Sequence, residues 1–350
     1  MAKNEACRAA IVGSKTSSEQ IMTRPFCIAI LVGFWIFSQQ STLPQTKVLR
    51  ISSSKKLNVP LFSTWDRVES DSHGDLYFRP VASNNNYGTS EIIKLNISSE
   101  APTVYQIPSE LGEASALVAF SVTASGNVWF LNEMKKTGSF VVLGFDSSGQ
   151  MTSQTNLDVP KRLMANRFLV AEDGIILVGG FFGQDAAKEL QGKGYLSVFD
   201  KAGTVRKDLG KDWLKDVGLT TVSTKMIENG ATTGQDGNFY FLEGNDIIVI
   251  SEWGEVVRHI KIQRPPKASD ALGMDFSEGL LSIQFYEKDA DGLLRSTFVV
   301  IESSTGEPYG VYTPSEELGE AVVGFSRRNG YLFSHPTPDG KILLLYAQLR

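Results

Sequence analysis

A glycine turn followed by a short apolar strand recurs along this chain, and that recurrence constrains its fold more than any other feature. It reads His73-Gly74-Asp75-Leu76-Tyr77-Phe78, then Ser125-Gly126-Asn127-Val128-Trp129-Phe130, then Asp173-Gly174-Ile175-Ile176-Leu177-Val178. Asp236-Gly237-Asn238-Phe239-Tyr240-Phe241, Glu278-Gly279-Leu280-Leu281-Ser282-Ile283 and Asp339-Gly340-Lys341-Ile342-Leu343-Leu344 complete a set of six. The glycine supplies the positive φ of a hairpin turn, and the apolar and aromatic residues after it favour an extended strand. Between these copies runs a second signal, a strand entering a turn: VVLGFDSSG at 141–149, LSVFDKAG at 196–203, IIVISEWG at 247–254 and FVVIESSTG at 298–306. EIIKLNISS at 91–99 is a degenerate copy. Gly149, Gly203, Gly254 and Gly306 stand 54, 51 and 52 residues apart. Pro60, Pro108, Pro160, Pro265 and Pro314 follow the second signal in the same phase.

Two hairpins in about 51 residues are one blade of a β-propeller, a four-stranded sheet set radially about a channel. The sequence therefore predicts an all-β protein, a six-bladed β-propeller. Residues 42–350 number 309, which six such units use almost completely. Residues 342–347 carry the last strand signal, so the sixth blade lacks its second hairpin there. Residues 48–60 offer one, as VLRI, a polar turn SSSKK and LNVP. The last blade is thus expected to be closed by N- and C-terminal strands, which leaves no open sheet edge at the seam.

The first 41 residues stand apart. Residues 26–37 read FCIAILVGFWIF, too short for the ~20 residues of a membrane-spanning helix but suited to the apolar core of a secretory signal. Arg24 precedes the run, and Met22 opens a compact signal-like segment, so Met22 is taken as the true start. The expected setting is an exported one, periplasmic or extracellular, with membrane contact only through an uncleaved leader. Both cysteines, Cys7 and Cys27, fall in this segment, leaving the propeller without a disulfide, a thiolate metal site or a cysteine nucleophile. Setting aside the leader's four basic and two acidic residues, from 34 and 39 in the whole chain, leaves a net charge of about −7. That balance argues against a nucleic-acid partner, which needs clustered Lys and Arg.

The alternation of G-x-apolar-aromatic-apolar with a later apolar-x-Phe-Asp-x-x-Gly resembles six-bladed propellers of the NHL-repeat type over essentially all of residues 42–350. The resemblance implies a fold, and among its members are binding scaffolds, sensor domains and metal-dependent lactonases. This chain departs from the pattern in two respects, the first being that an Asp which often follows the inner strand does not recur here. Such repeats carry an Asp three residues before the turn glycine, and here Asp71 has it while 123, 171, 234, 276 and 337 hold Thr, Ala, Gly, Phe and Thr.

Chemistry is sparse. His73, His259 and His335 form no zinc pattern and read as surface or structural residues. No nucleophile elbow, dinucleotide fingerprint or P-loop is present, and no cofactor is expected. Residues 289–292 (DADG) resemble part of a calcium loop but lack its terminal Glu, which favours a hairpin turn. Residues 184–194 read as an insertion with one helical turn. Asn96-Ile97-Ser98 is a glycosylation sequon. The segments entering the inner strands carry Asp66, Arg67, Arg162, Asn166, Arg167, Lys225, Glu228, Asn229, Arg327 and Arg328, candidate ligand-binding residues at the channel mouth. The expected function is a monomeric, non-catalytic scaffold that binds a protein or small polar ligand there. The alternatives are a polar or anionic ligand sensor, or a lactonase-like hydrolase with a metal among Glu69, Glu228, Asn229 and Asp275.

Overall fold

The computed structural model describes residues 43–57, 68–80, 91–96, 102–112, 115–160, 162–184, 186–210, 214–215, 218–219, 222–223, 230–269, 271–288, 292–319, 322–339 and 341–350. Six sheets form a six-bladed β-propeller, and the first described strands, β1 (Thr46–Leu49) and β2 (Ser53–Leu57), lie in its last two blades. Blade 1 is β3 (Glu69–Ser70), β4 (Leu76–Phe78), β5 (Glu91–Leu95) and β6 (Thr103–Gln106). Blade 2 is β7 (Ser115–Val122), β8 (Val128–Met134), β9 (Phe140–Phe145) and β10 (Met151–Leu157). Blade 3 is β11 (Leu163–Val170), β12 (Ile176–Phe182), β13 (Gly194–Phe199) and β14 (Val205–Asp208). Blade 4 is β15 (Ala231–Thr233), β16 (Phe239–Glu243), β17 (Asp246–Ile250) and β18 (Val256–Lys261). Blade 5 is β19 (Gly273–Ser277), β20 (Leu280–Lys288), β21 (Leu294–Glu302) and β22 (Pro308–Pro314). Blade 6 is β23 (Val322–Ser326), β24 (Gly330–Pro336), β25 (Ile342–Ala347) and the returning β2.

Burial explains the strand sequences. A middle strand is covered on both faces by neighbouring blades, so it reads as an unbroken apolar run. All six residues of β9 (FVVLGF) are buried. An outer strand is covered far less, and β10 (MTSQTNL) buries only Leu157. The core lies between blades. Phe130 and Phe145 pack with Tyr77 and Tyr105 across blades 1 and 2, and Phe239 and Phe241 with Leu177 and Leu196 across blades 3 and 4. Leu57, Leu76, Phe78, Leu332 and Leu344 close the seam between blades 6 and 1. Emptying one such Phe position to Ala costs ~3–5 kcal/mol.

Three sequence expectations are refined. The sixth first-hairpin turn is Asn329-Gly330, between β23 and β24; residues 337–341 instead join the second strand of that blade to the third. Gly330 has φ 75°, in line with 83°, 83°, 83°, 78° and 81° at Gly74, Gly126, Gly174, Gly237 and Gly279. Closure is by one N-terminal strand, not a hairpin. β2 pairs antiparallel with β25, whereas β1 runs parallel to β22 as a fifth strand on blade 5. The stretch read as a polar turn, SSSKK, is largely β2 itself, an edge strand that buries only Leu57. The insertion after β12 makes the expected single helical step, with Gln191 N–H donating to Ala187 O. No helix among the described residues is long and apolar enough to cross a membrane.

Candidate functional site

All inner strands run the same way through the ring, so their C-terminal ends meet at one end of the channel, beside the glycine turns. A cavity of about 80 Å³ lies there. Every blade contributes to it, through Glu69, Thr123, Arg167, Thr232, Asp275 and Phe325 among others. Arg167 reaches it because β11 carries a bulge. The register against β12 slips between Ala165 and Arg167, leaving Asn166 exposed as the extra residue. The Arg167 side chain is 6% exposed and its guanidinium donates to Ala231 O on β15. Glu69 accepts from Val122 N–H at 2.8 Å, tying blade 1 to blade 2. Glu172, at the rim, accepts from Ser125 N–H at 2.6 Å and from its hydroxyl at 2.8 Å.

Beside the cavity lies an open hollow of about 560 Å³, bounded by Asp71, His73, Asp75, Lys94 and Asn96 with residues of the neighbouring turns. Its floor is a buried charge cluster. Asp71 sits three residues before Gly74, and its side chain is 1% exposed. Oδ1 accepts from the backbone N–H of His73 (2.9 Å) and Asp75 (3.0 Å), and Oδ2 accepts from the Tyr77 phenol (2.9 Å). Tyr77 and Lys94 are directly opposed in the β4–β5 register. This places Lys94 Nζ 5.3 Å from the centre of the Tyr77 ring, 3.1 Å from Asp75 and 3.9 Å from Asp71. Burial, then the Asp71 charge, pushes the Tyr77 phenol far above its usual range. Burial likewise pushes Tyr105 to about 12.

Of the proposed mouth residues, the described ones do not all come together. Arg162 is exposed at the start of β11, with φ 69°, at the opposite end of the channel from Arg167. Arg327 and Arg328 follow β23 rather than lead into it, a direct result of the shifted sixth repeat. They pair with blade 5. Arg328 Nε lies 3.0 Å from Glu278, and Arg327 donates to Glu278 O at 3.0 Å. Asp66, Arg67, Lys225, Glu228 and Asn229 lie outside the described residues, as do residues 289–291. Glu69 and Asp275 share the channel cavity. Among the described residues no three His, Cys, Asp or Glu side chains stand together as a metal site. His73 is 72% exposed, His259 is exposed, and His335 Nε2 lies 2.6 Å from Leu318 O. Sequence reasoning passed over Lys94 and Thr232. Only strand register and the ring bring these to the site.

No protein-family model matches the chain, and no curated protein matches it. Solved structures do match. A DUF4221-family member from Bacteroides vulgatus aligns over 86% of this chain and 98% of its own, at 10% identity and a TM-score of 0.52. A luciferin-regenerating enzyme aligns over 85% and 97%, at 12% identity and 0.48. A calcium-binding protein, regucalcin, from Agrobacterium tumefaciens aligns over 88% and 98%, at 14% identity and 0.47. At such identities the likeness is one of fold.

Proposed function

We propose that this chain is an exported, non-catalytic binding propeller that takes a small polar ligand into its channel from the glycine-turn end. One observation carries the reading. The cavity there is walled by all six blades and lined by charged groups of both signs, Arg167, Glu69 and Asp275 among them. A concave site with a few convergent polar groups is the usual form of a ligand pocket. The apolar run at 26–37 supports export as the setting. A second reading, a metal-dependent hydrolase, draws on Glu69 and Asp275 sharing that cavity.

Differential scanning fluorimetry of the purified protein separates the two. The panel holds amino acids, carboxylic acids, amines, sugars and Ca²⁺. The expected result is a raised Tm with at least one organic member, lost in Arg167→Met. A shift with Ca²⁺ alone, reversed by chelator, transfers support to the hydrolase. No shift across the panel overturns the binding reading.

A further inference from the structure

The strap that closes the ring is basic, on a chain that is acidic as a whole. We infer that β1, β2 and the link between them form a docking surface for an anionic phospholipid bilayer. The inference goes beyond the channel reading and does not rest on it.

Charge is the first observation. The chain has 39 acidic residues against 34 basic ones, yet residues 20–65 hold Arg24, Lys47, Arg50, Lys55 and Lys56 and no Asp or Glu. Strand pairing fixes where two of these cations stand. Lys47 is directly opposed to Tyr312 in the β1–β22 register, and its ammonium lies 5.9 Å from the centre of that ring. Leu49 O accepts from Ser315 N–H at 3.0 Å, and Ser52 N–H donates to Tyr346 O at 2.7 Å. Arg50 and Ile51 therefore form a link held at both ends, which crosses from blade 5 to blade 6. A hollow of about 150 Å³ opens there, lined by Lys47, Arg50, Tyr312, Gln348 and Arg350 among others, and by no Asp or Glu side chain.

The charge of this hollow is not spent internally. Lys56 is taken by Asp339 at 2.9 Å, and Glu316, just after β22, is taken by Arg295 at 3.4 Å. Among the described residues neither Lys47 nor Arg50 forms a salt bridge. With Arg350 counted as neutral against the carboxylate of its own main chain, Lys47 and Arg50 still leave the hollow positive. An ammonium and a guanidinium side by side suit a phosphate oxygen.

Two further observations select a bilayer as the source of that phosphate. Val48 is 57% exposed and Ile51 is 38% exposed, so aliphatic side chains alternate with the cations on the open side of the strap. Cations that meet headgroups beside aliphatic groups that enter the acyl boundary are the pattern of an interfacial surface. The apolar run at 26–37 ends eight residues before Thr46. Eight residues reach at most ~30 Å. The run is too short to span a bilayer, and stable anchoring takes two signals. The strap supplies the second.

Co-sedimentation of the full chain with vesicles tests this. Vesicles of phosphatidylcholine alone are compared with vesicles of equimolar phosphatidylcholine and phosphatidylglycerol. Binding to the anionic vesicles is expected to be about tenfold tighter or more, and to fall as salt is raised. Lys47→Glu with Arg50→Glu is expected to weaken it about tenfold, and Val48→Ser with Ile51→Ser a few-fold. Lys188→Glu with Lys201→Glu, at exposed sites in blade 3, makes the same charge change and should leave binding as it was. Every arm retains residues 26–37, so their own partitioning is common to all, and the Tm of each variant checks folding. The comparison of vesicles on the unmodified protein stands if a variant fails to fold. Equal binding to both vesicles overturns the inference, and an equal loss in the two folded charge variants overturns the site. Inorganic phosphate binding in isothermal titration, without a preference between vesicles, makes the hollow a free-anion site and overturns the bilayer. Arg167→Met is expected to leave vesicle binding unchanged, so the channel reading and this one fail separately.

Discussion

Blades 1 and 4 solve the same local problem with carboxylates from different positions of the same turn, its first residue in blade 1 and its third in blade 4. Each has a tyrosine three residues after its turn glycine, Tyr77 and Tyr240, fully buried against the next blade. Each phenol needs an acceptor. Tyr77 finds Asp71 at 2.9 Å, three residues before Gly74, and Tyr240 finds Asp236 at 2.7 Å, one residue before Gly237. The position matching Asp71 in blade 4 is Gly234, and a Cβ there would meet the Asp236 carboxylate and stand 2.7 Å from the Tyr240 ring. Glycine thus leaves the space into which Asp236 turns. The difference lies in what else is recruited. Asp236 stays exposed, so blade 4 has a polar tether at its surface. Asp71 is buried and brings Lys94 and Asp75 with it, so blade 1 places net charge inside the ring beside the channel.

The largest effect should come from removing the two carboxylates in turn. Asp71→Ala leaves the Lys94 ammonium 88% buried with Asp75 alone and deprives the Tyr77 phenol of its closer acceptor. Breaking a buried ion pair costs ~3–5 kcal/mol. Asp236→Ala removes a hydrogen bond from an exposed acid, worth about 1 kcal/mol. Urea unfolding of both variants measures the gap. Equal losses would show that the buried cluster is no more than the tether of blade 4 repeated.

The same contrast shows what the sequence could and could not disclose. The blades were legible because turn glycines and apolar runs are local signals with a fixed spacing. The phase of the sixth was not, because Asp339-Gly340-Lys341-Ile342 matches the turn pattern as well as Asn329-Gly330-Tyr331-Leu332 does. Both are glycine turns before apolar strands, and composition does not say which hairpin a turn closes. Spacing was the better guide, since Gly330 lies 51 residues after Gly279 and Gly340 lies 61 after it. That slip carried Arg327 and Arg328 to the wrong end of their strand. β2 was misread for a related reason: an outermost strand covered on little of its surface looks like a turn when it is rich in Ser and Lys. Asp71 and Tyr77 were visible as D-x-x-G-x-x-Y. Lys94 was not, since only the β4–β5 register sets it opposite Tyr77. Arg167 was named from its residue type, but the bulge at Asn166 decides that it faces the channel.

A smaller effect sharpens the comparison at the turns. Gly126 of blade 2 has φ 83°, and a Cβ on it would stand 2.9 Å from the Tyr77 hydroxyl and 3.0 Å from Asp71 Oδ2. Gly237 has φ 78° and open space around it. Alanine at either position meets the left-handed backbone cost of ~1–2 kcal/mol. Only Gly126→Ala also crowds the buried cluster, adding about 1–3 kcal/mol. Urea midpoints should therefore separate the two variants, and identical midpoints would show that the cluster gives way freely.

The smallest effect concerns two carboxyls that, unlike those of blade 1, meet without a buried cation. Glu252 in the last turn of blade 4 shares a hydrogen bond with the blade 3 turn residue Asp173, which raises the Glu252 carboxyl above its ordinary value of 4.5. Arg206 opposes the shift from 3.9 Å. The folded state therefore holds this proton more tightly than the unfolded chain does. Its stabilisation is complete below the ordinary value and disappears as pH rises through the raised one. Glu252→Gln keeps a neutral side chain that can still hydrogen-bond to Asp173, at every pH. The difference in Tm between the unmodified protein and this variant, followed by calorimetry from about pH 4 to 7, should move in the variant's favour as pH rises. A flat difference would mean that Arg206, not the shared proton, holds the blade 3–blade 4 contact.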